Sequence, residues 1–372
     1  MAKVAMLVSG GVDSSVSLRL LKDQGHDIVA FYLKIWLEDE LSYLGDCPWQ
    51  EDLSYIQAVC AQANVPLEVI SLQKEYWSEI VNYTLNEIKC GRTPNPDILC
   101  NQRIKFGAFF SKIDESFDYV ATGHYAQLKK CGNRFALQVA PDLVKDQTYF
   151  LSHLSQKQLE RAMFPIGHLL KSEVRELGIK FDLANKSRKD SQGICFLGKL
   201  RFNEFIKHYL GDKSGDLIEL ETGKKVGSHK GFWYHTIGQR QGLGLSGGPW
   251  YVVAKDVQLN LVYISKNYYT EDKIRNEFYI QSCNWFIEPD ITKTYKVKLR
   301  HGANFNVGII EKVQSPLLQS LQDTNKVTLS QRDQGIASGQ FAVFYQEGDN
   351  GDLCIGGGII SDAPDKNIDR NL

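Results

Sequence analysis

The sequence predicts an α/β domain built on a parallel sheet, followed by a small β-rich central domain and a C-terminal β unit of barrel type. Three observations carry that prediction. From Lys3 to about Ile179, short apolar runs alternate with segments of helical spacing, the pattern of strands joined through crossover helices. After about Arg201, glycines crowd in and only short β-prone runs remain. The chain has 372 residues, too many for one ordinary hydrophobic core.

Taken in order, "KVAMLV" reads as a buried strand, and a glycine turn follows it. "DSSVSLRLLKDQ" then places Val16, Leu20 and Leu21 at helical spacing. Asp13 or Ser14 is the expected N-cap and Gly25 the expected stop. "DIVAFYLKIW" is a second strand. "EDLSYIQAVCAQAN" is a helix with Leu53, Ile56, Val59, Cys60 and Ala63 on one side, and "LEVISL" and "DYVATGHY" are further strands. "FNEFIKHYL" is one more helix, after which a glycine-rich β module runs to about residue 275. "YKVKLRH", "NVGIIEKV", "QFAVFY" and "LCIGGGII" belong to the final unit, and the tail "SDAPDKNIDRNL" is expected to fray. The expected domains are therefore residues 1–200, 201–275 and 276–372.

Composition excludes several classes. Hydrophobic residues make up 43% and charged residues 23%, as in a soluble globular protein. No apolar run reaches the ~20 residues of a membrane span, and "MAKVAMLVSGG" turns polar too soon for a signal peptide. A cytoplasmic location without membrane attachment is expected. Eight cysteines without a C-x-x-C pair describe neither a disulfide framework nor a zinc site, so no metal ligand set is assigned. A net charge of −1 means that any nucleic-acid site must be a local basic patch.

"LVSGGVDSS" joins the first strand to the first helix, where backbone N–H groups and the helix dipole together favour an anion. An ordinary tight βα turn has the same appearance. The segment is neither G-x-x-x-x-G-K-[ST] nor G-x-G-x-x-G; it offers the hydroxyls of Ser9, Ser14 and Ser15 instead of a lysine. S-G-G-x-D-S resembles the loop of ATP pyrophosphatases, which cleave ATP between the α- and β-phosphates and transfer AMP. Ala2 leaves no N-terminal cysteine to act in amide transfer, so another nucleophile is needed. Two cysteines qualify. Cys100, in "RTPNPDILCNQRIKF", follows two prolines expected to hold a rigid loop that presents the thiol. Cys195, in "DSQGICFLG", follows the basic stretch "NKSRKD", where Lys186, Arg188 and Lys189 would stabilise a thiolate. Taken alone, Cys195 reads first as a packed core residue.

"SGGVDSS", "GRTPNPDILCNQRIKF", "ATGHYA", "KDQTYFL", "KDSQGICFLG", "HTIGQRQGLG" and "GGGII" occur in the order seen in the tRNA-specific 2-thiouridylases, the MnmA family, and the resemblance spans nearly the whole chain. It implies an ATP-pyrophosphatase domain of the PP-loop, adenine nucleotide alpha hydrolase-like type, a central β domain and a C-terminal β-barrel. The implied activity is ATP-dependent 2-thiolation of the tRNA wobble uridine. The C2 oxygen is adenylated, with AMP and pyrophosphate formed, and is replaced by sulfur from a cysteine persulfide.

The same resemblance assigns roles. Cys100 is the nucleophile, Cys195 the persulfide carrier, and a transient Cys100–Cys195 disulfide the oxidised product. Asp97 is the acid/base candidate, and Asn95, Pro96 and Asp97 line the pocket for a flipped base. Leu7, Val8, Ser9, Gly10, Gly11, Val12, Asp13, Ser14, Leu33 and Gly123 match positions around ATP. His124, Lys145, Asp146, Gln147, Arg300, His301 and Gln340 match tRNA-contacting positions, although the family often carries Arg-Tyr where this chain has Arg300-His301. Cys47, Cys60, Cys90, Cys131, Cys283 and Cys354 are expected to be structural. The implied cofactors and partners are ATP with Mg2+, tRNA, and a persulfide sulfur donor: a cysteine desulfurase or a sulfur-relay protein. Two other readings stay open: an ATP pyrophosphatase acting on another substrate, and a non-catalytic RNA binder locked by ATP.

Overall fold

The computed structural model describes residues 1–35, 49–190, 202–268, 276–313, 324–333 and 335–361. With strands numbered along the chain, β1 (Lys3–Leu7), β2 (Asp27–Lys34), β3 (Leu67–Ser71), β4 (Tyr119–Ala121) and β7 (Ala162–Met163) form a five-stranded sheet in the order β3-β2-β1-β4-β7. Every pairing in it is parallel. β1 is apolar throughout because both of its faces are covered. Val4 and Met6 pack with Leu18, Leu21 and Ile56 on one side. Ala5 and Leu7 pack with Tyr76, Ile80, Ile104 and Phe109 on the other.

The first helix, α1, runs from Val12 to Asp23. Its N-cap is Gly11, with no side-chain cap, so the expectation of Asp13 or Ser14 is corrected. Both residues lie inside the first turn, where the Ser14 hydroxyl donates back to the Gly11 carbonyl at 3.1 Å. The stop is as expected: Gly25 takes φ +81°, just past the last turn. The next helix, α2 (Trp49–Ala63), buries Ile56, Val59, Cys60 and Ala63, the stripe its spacing predicts.

Four strands, β8 (Gly215–Glu219), β9 (Lys225–His229), β10 (Tyr251–Asp256) and β11 (Leu261–Ser265), make the central sheet in the order β10-β11-β8-β9. It closes over Leu217, Phe232, Trp250, Val252, Val262 and Ile264. The helix Phe202–Leu210, by contrast, buries Phe205 and Ile206 in the core beneath the first sheet.

The last unit consists of β12 (Glu277–Trp285), β13 (Thr294–Lys298), β14 (Asn306–Lys312), β15 (Asn325–Leu329), β16 (Phe341–Gln346) and β17 (Leu353–Ser361). The order β12-β15-β14-β13-β16-β17, with β17 returning to β12, closes a six-stranded antiparallel barrel. One hairpin crosses the partition read from the sequence. β5 (Gln127–Cys131) and β6 (Arg134–Gln138) leave the parallel sheet, and β6 pairs with β17 at the rim of the barrel. The parallel-sheet unit and the barrel are therefore joined through this hairpin, and the segment after β6 is delivered between them.

Candidate active site

The glycine turn emerges at the carboxyl edge of β1, beside the carboxyl ends of β2 and β4. This is the edge where open parallel sheets bind ligands. Leu33 lies near the end of β2, and Gly123 follows β4. A Cβ on Gly123 would stand 2.8 Å from the Ser14 amide nitrogen, so only glycine lets this loop lie against the first turn of α1. Gly10 takes φ +74° and makes the turn itself. Ser9 is exposed, and no side chain caps the amides that open α1. Exposed hydroxyl, open amides and the positive end of a helix dipole fit a phosphate group.

Residues far along the chain brace this loop. Asn185 donates to the Gly10 carbonyl and to the Ser15 hydroxyl, both at 2.8 Å. Arg188 donates to the Gly10 carbonyl at 3.0 Å and pairs with Asp52 of α2. Asp13 receives the Tyr125 hydroxyl at 2.9 Å and the Lys171 ammonium at 2.6 Å. The lysine absent from the loop is thus brought to it by a residue 158 positions away. Lys171 also reaches Asp190 at 2.8 Å, a carboxylate further paired with Lys145 at 2.7 Å and with Arg175. Burial raises the Asp190 pKa, but the hydrogen bonds and charges of Lys145 and Lys171 outweigh it and hold the carboxyl at about 2. Tyr125 is pushed up from the usual phenol range by burial and by the charge of Asp13, so its hydroxyl stays a donor.

Cys100 departs from the presented loop thiol expected of it. Asn95 is the N-cap of a helix that opens at Pro96, with its side-chain oxygen accepting from the Ile98 amide at 3.4 Å. Pro96 at the first position starts this helix instead of delaying it, since its missing N–H is not needed there. The helix runs on in wider π-type turns over Cys100–Ala108. Cys100 is only 1% exposed, in the cluster of Ile98, Leu99 and Ile104. Asp97, in the turn just before it, is half-buried.

Some of the tRNA-matching residues gather where this helix meets the barrel, and others lie toward the glycine turn. Asn95 donates to the Tyr149 hydroxyl at 3.5 Å, and that hydroxyl donates to the carbonyls of Leu299 and Phe341 at 3.3 and 3.2 Å. The Thr93 amide donates to the Ser338 carbonyl at 2.8 Å, two residues before Gln340. His301 stacks on Phe150 with ring centres 4.8 Å apart, and Arg300 beside it is exposed, with Asp333 at 3.6 Å. Lys145 is held by Asp190, and Gln147 accepts from the Tyr125 amide at 3.0 Å. Two matched residues turn inward. The Asp146 carboxylate is buried on Lys298. His124 is buried against Thr122 at 2.7 Å, with burial and then the charge of Lys105 keeping its ring neutral.

Residues 2–199 match the family profile described as a tRNA methyl transferase HUP domain, residues 203–266 a PRC-barrel domain and residues 275–360 an aminomethyltransferase beta-barrel domain. A tRNA-specific 2-thiouridylase MnmA of Parabacteroides distasonis is 44% identical, covering 97% of this chain and 99% of its own. The corresponding protein 1 of Bacteroides thetaiotaomicron is 45% identical, over 96% and 99%. That of Porphyromonas gingivalis is 43% identical, over 96% and 99%. The chain belongs to the tRNA-specific 2-thiouridylase family.

Cys195 and the tail from residue 362 lie outside the described residues, as does Cys47. Sequence reading missed Lys171, Tyr125, Asn185 and Lys298. All four act through partners more than a hundred residues away, a separation that no local pattern reports. Among the described residues, no helix is long and apolar enough to cross a membrane.

Proposed function

We propose that this chain is the enzyme that converts the wobble uridine of tRNA to 2-thiouridine, using ATP and a persulfide. What supports the reading is the single assembly in which the phosphate-fitting turn at Asp13 and the Cys100 helix are both tied to the segment between β6 and Tyr149. The uridine C2 oxygen attacks the α-phosphorus and pyrophosphate leaves, so a poor leaving group becomes AMP. Asp97 exchanges the proton at the base. Persulfide sulfur carried on Cys195 adds at C2, and the C2–O bond breaks as AMP departs. Cys100 attacks the inner sulfur of Cys195, the S–S bond to the base breaks and 2-thiouridine is released. The Cys100–Cys195 disulfide so formed is reduced by an external dithiol before the next cycle. Asp13 is the carboxylate suited to hold Mg2+, which would neutralise the leaving pyrophosphate.

The sulfur enters from a desulfurase or relay protein, and the work is done in the cytoplasm. Arg300, His301, Lys145, Gln147 and Gln340 form the surface offered to tRNA, while Asn95, Pro96 and Asp97 line the base pocket. The test is nucleoside mass spectrometry of tRNA incubated with enzyme, ATP, magnesium and a persulfide donor, with AMP and pyrophosphate measured in parallel. The expected result is oxygen-to-sulfur exchange at uridine, matched by AMP. A methylated nucleoside, or ADP and phosphate as products, would overturn it.

A further inference from the structure

We propose that the buried ion pair between Asp146 and Lys298 is a positioning device: it sets the segment 145–150 so that tRNA docked on the barrel meets the nucleotide loop and the thiol helix together. The inference rests on the reading just given. Both side chains are fully buried, with the ammonium 3.0 Å from the carboxylate. Asp146 follows the shared hairpin, and Lys298 is the last residue of β13, so the pair joins catalytic unit to barrel. Its remaining capacity is used. Thr148 donates its hydroxyl to both carboxylate oxygens at 3.0 and 2.8 Å, and Ala140 its amide to one of them at 3.3 Å. The ammonium lies over the rings of Phe305 and Tyr345, at 4.5 and 5.3 Å.

A buried pair of this kind adds little to stability over an apolar replacement, because taking both charges out of water cancels most of their attraction. What it supplies is one geometry. Upstream and downstream of Asp146, that geometry is passed to both ends of the site. Lys145 holds Asp190, and Gln147 binds the backbone of Tyr125, whose hydroxyl is on Asp13. Phe150 accepts from Asn101, the residue after Cys100, at 3.0 Å. The barrel adds two more holds, His301 on the Asp146 carbonyl at 3.0 Å and the Leu299 carbonyl on Tyr149. Loss of the pair releases the segment at its centre, while the glycine turn, braced independently by Asn185 and Arg188, stays in place.

The experiment compares Lys298→Met with the double substitution D146N/K298M in the full chain. The single variant leaves a buried carboxylate without its cation and is expected to unfold early. The double variant removes both charges and is expected to unfold cooperatively close to the wild type. In it, kcat for tRNA-dependent pyrophosphate release should fall roughly 10- to 100-fold, while KM for ATP stays within about twofold. Turnover within about twofold of wild type in the folded double variant would overturn the proposal. So would failure of the double variant to fold, since the pair would then be a stability element. Wild-type enzyme that releases no pyrophosphate with tRNA would remove the functional reading first, and this inference with it.

Discussion

Charge is handled in opposite ways at the two ends of the catalytic unit. Around the nucleotide loop, Asp13 and Asp190 share Lys171, and Lys145 and Arg175 complete a half-exposed network. Such ion pairs hold little energy and can be exchanged for new partners when a charged ligand arrives. Around Cys100 the packing is apolar, with Ile98, Leu99 and Ile104 in the same buried cluster. The first arrangement suits a polyphosphate whose charge changes during reaction. The second suits a base and a thiol, which must meet out of water. Burial also pushes two cysteines outside the proposed site upward, Cys60 to about 11 and Cys354 to about 12.

The widest effect tests the thiol end. Cys100→Ser and Cys195→Ser should each abolish thionucleoside formation, while AMP release with tRNA persists, because neither thiol attacks phosphorus. Loss of both products from Cys100→Ser would merge the two ends into one site and break the comparison. Next comes the nucleotide end. Asp13→Ala should lower kcat by roughly 10²–10³-fold, with the thermal midpoint moved little, because the carboxylate is partly exposed. A large drop in midpoint would mean that the network braces the fold.

A third prediction concerns pH at the barrel side. His153 is 5% exposed, and burial holds its ring at about 4, against the ordinary 6.5. Below about pH 6.5 the unfolded chain gains a proton that the folded ring refuses until about pH 4, so stability is full above that window and lost on acidification. Urea unfolding should show ~2 kcal/mol less stability from this residue at about pH 5 than at about pH 7. His153→Gln should remove that share of the slope; an unchanged slope would place the acid sensitivity elsewhere. The smallest effect belongs to Arg300, which is 69% exposed. Arg300→Ala should change stability by less than ~0.5 kcal/mol and reduce the salt dependence of tRNA binding by about one phosphate contact. An unchanged salt slope would take Arg300 out of the RNA surface.

The alternating strands and helices, the barrel-type ending and the nucleotide turn were legible because each is written in adjacent residues. "KVAMLV" followed by "SGGVDSS" carries its strand, turn and helix within a dozen positions, and the close approach that Gly123 permits needs only a missing side chain. Cys100 was legible as a motif but not as an environment. Two prolines looked like a stiff loop, yet Asn95 caps a helix at Pro96 and the thiol turns into the core. Only the tertiary structure decided which charges answer Asp13, that β6 joins the barrel, and that Asp146 is spent on Lys298. The physical reason is range. Propensity, capping and glycine geometry act over a few residues, whereas ion pairs and sheet edges are matched in space after the chain has closed on itself.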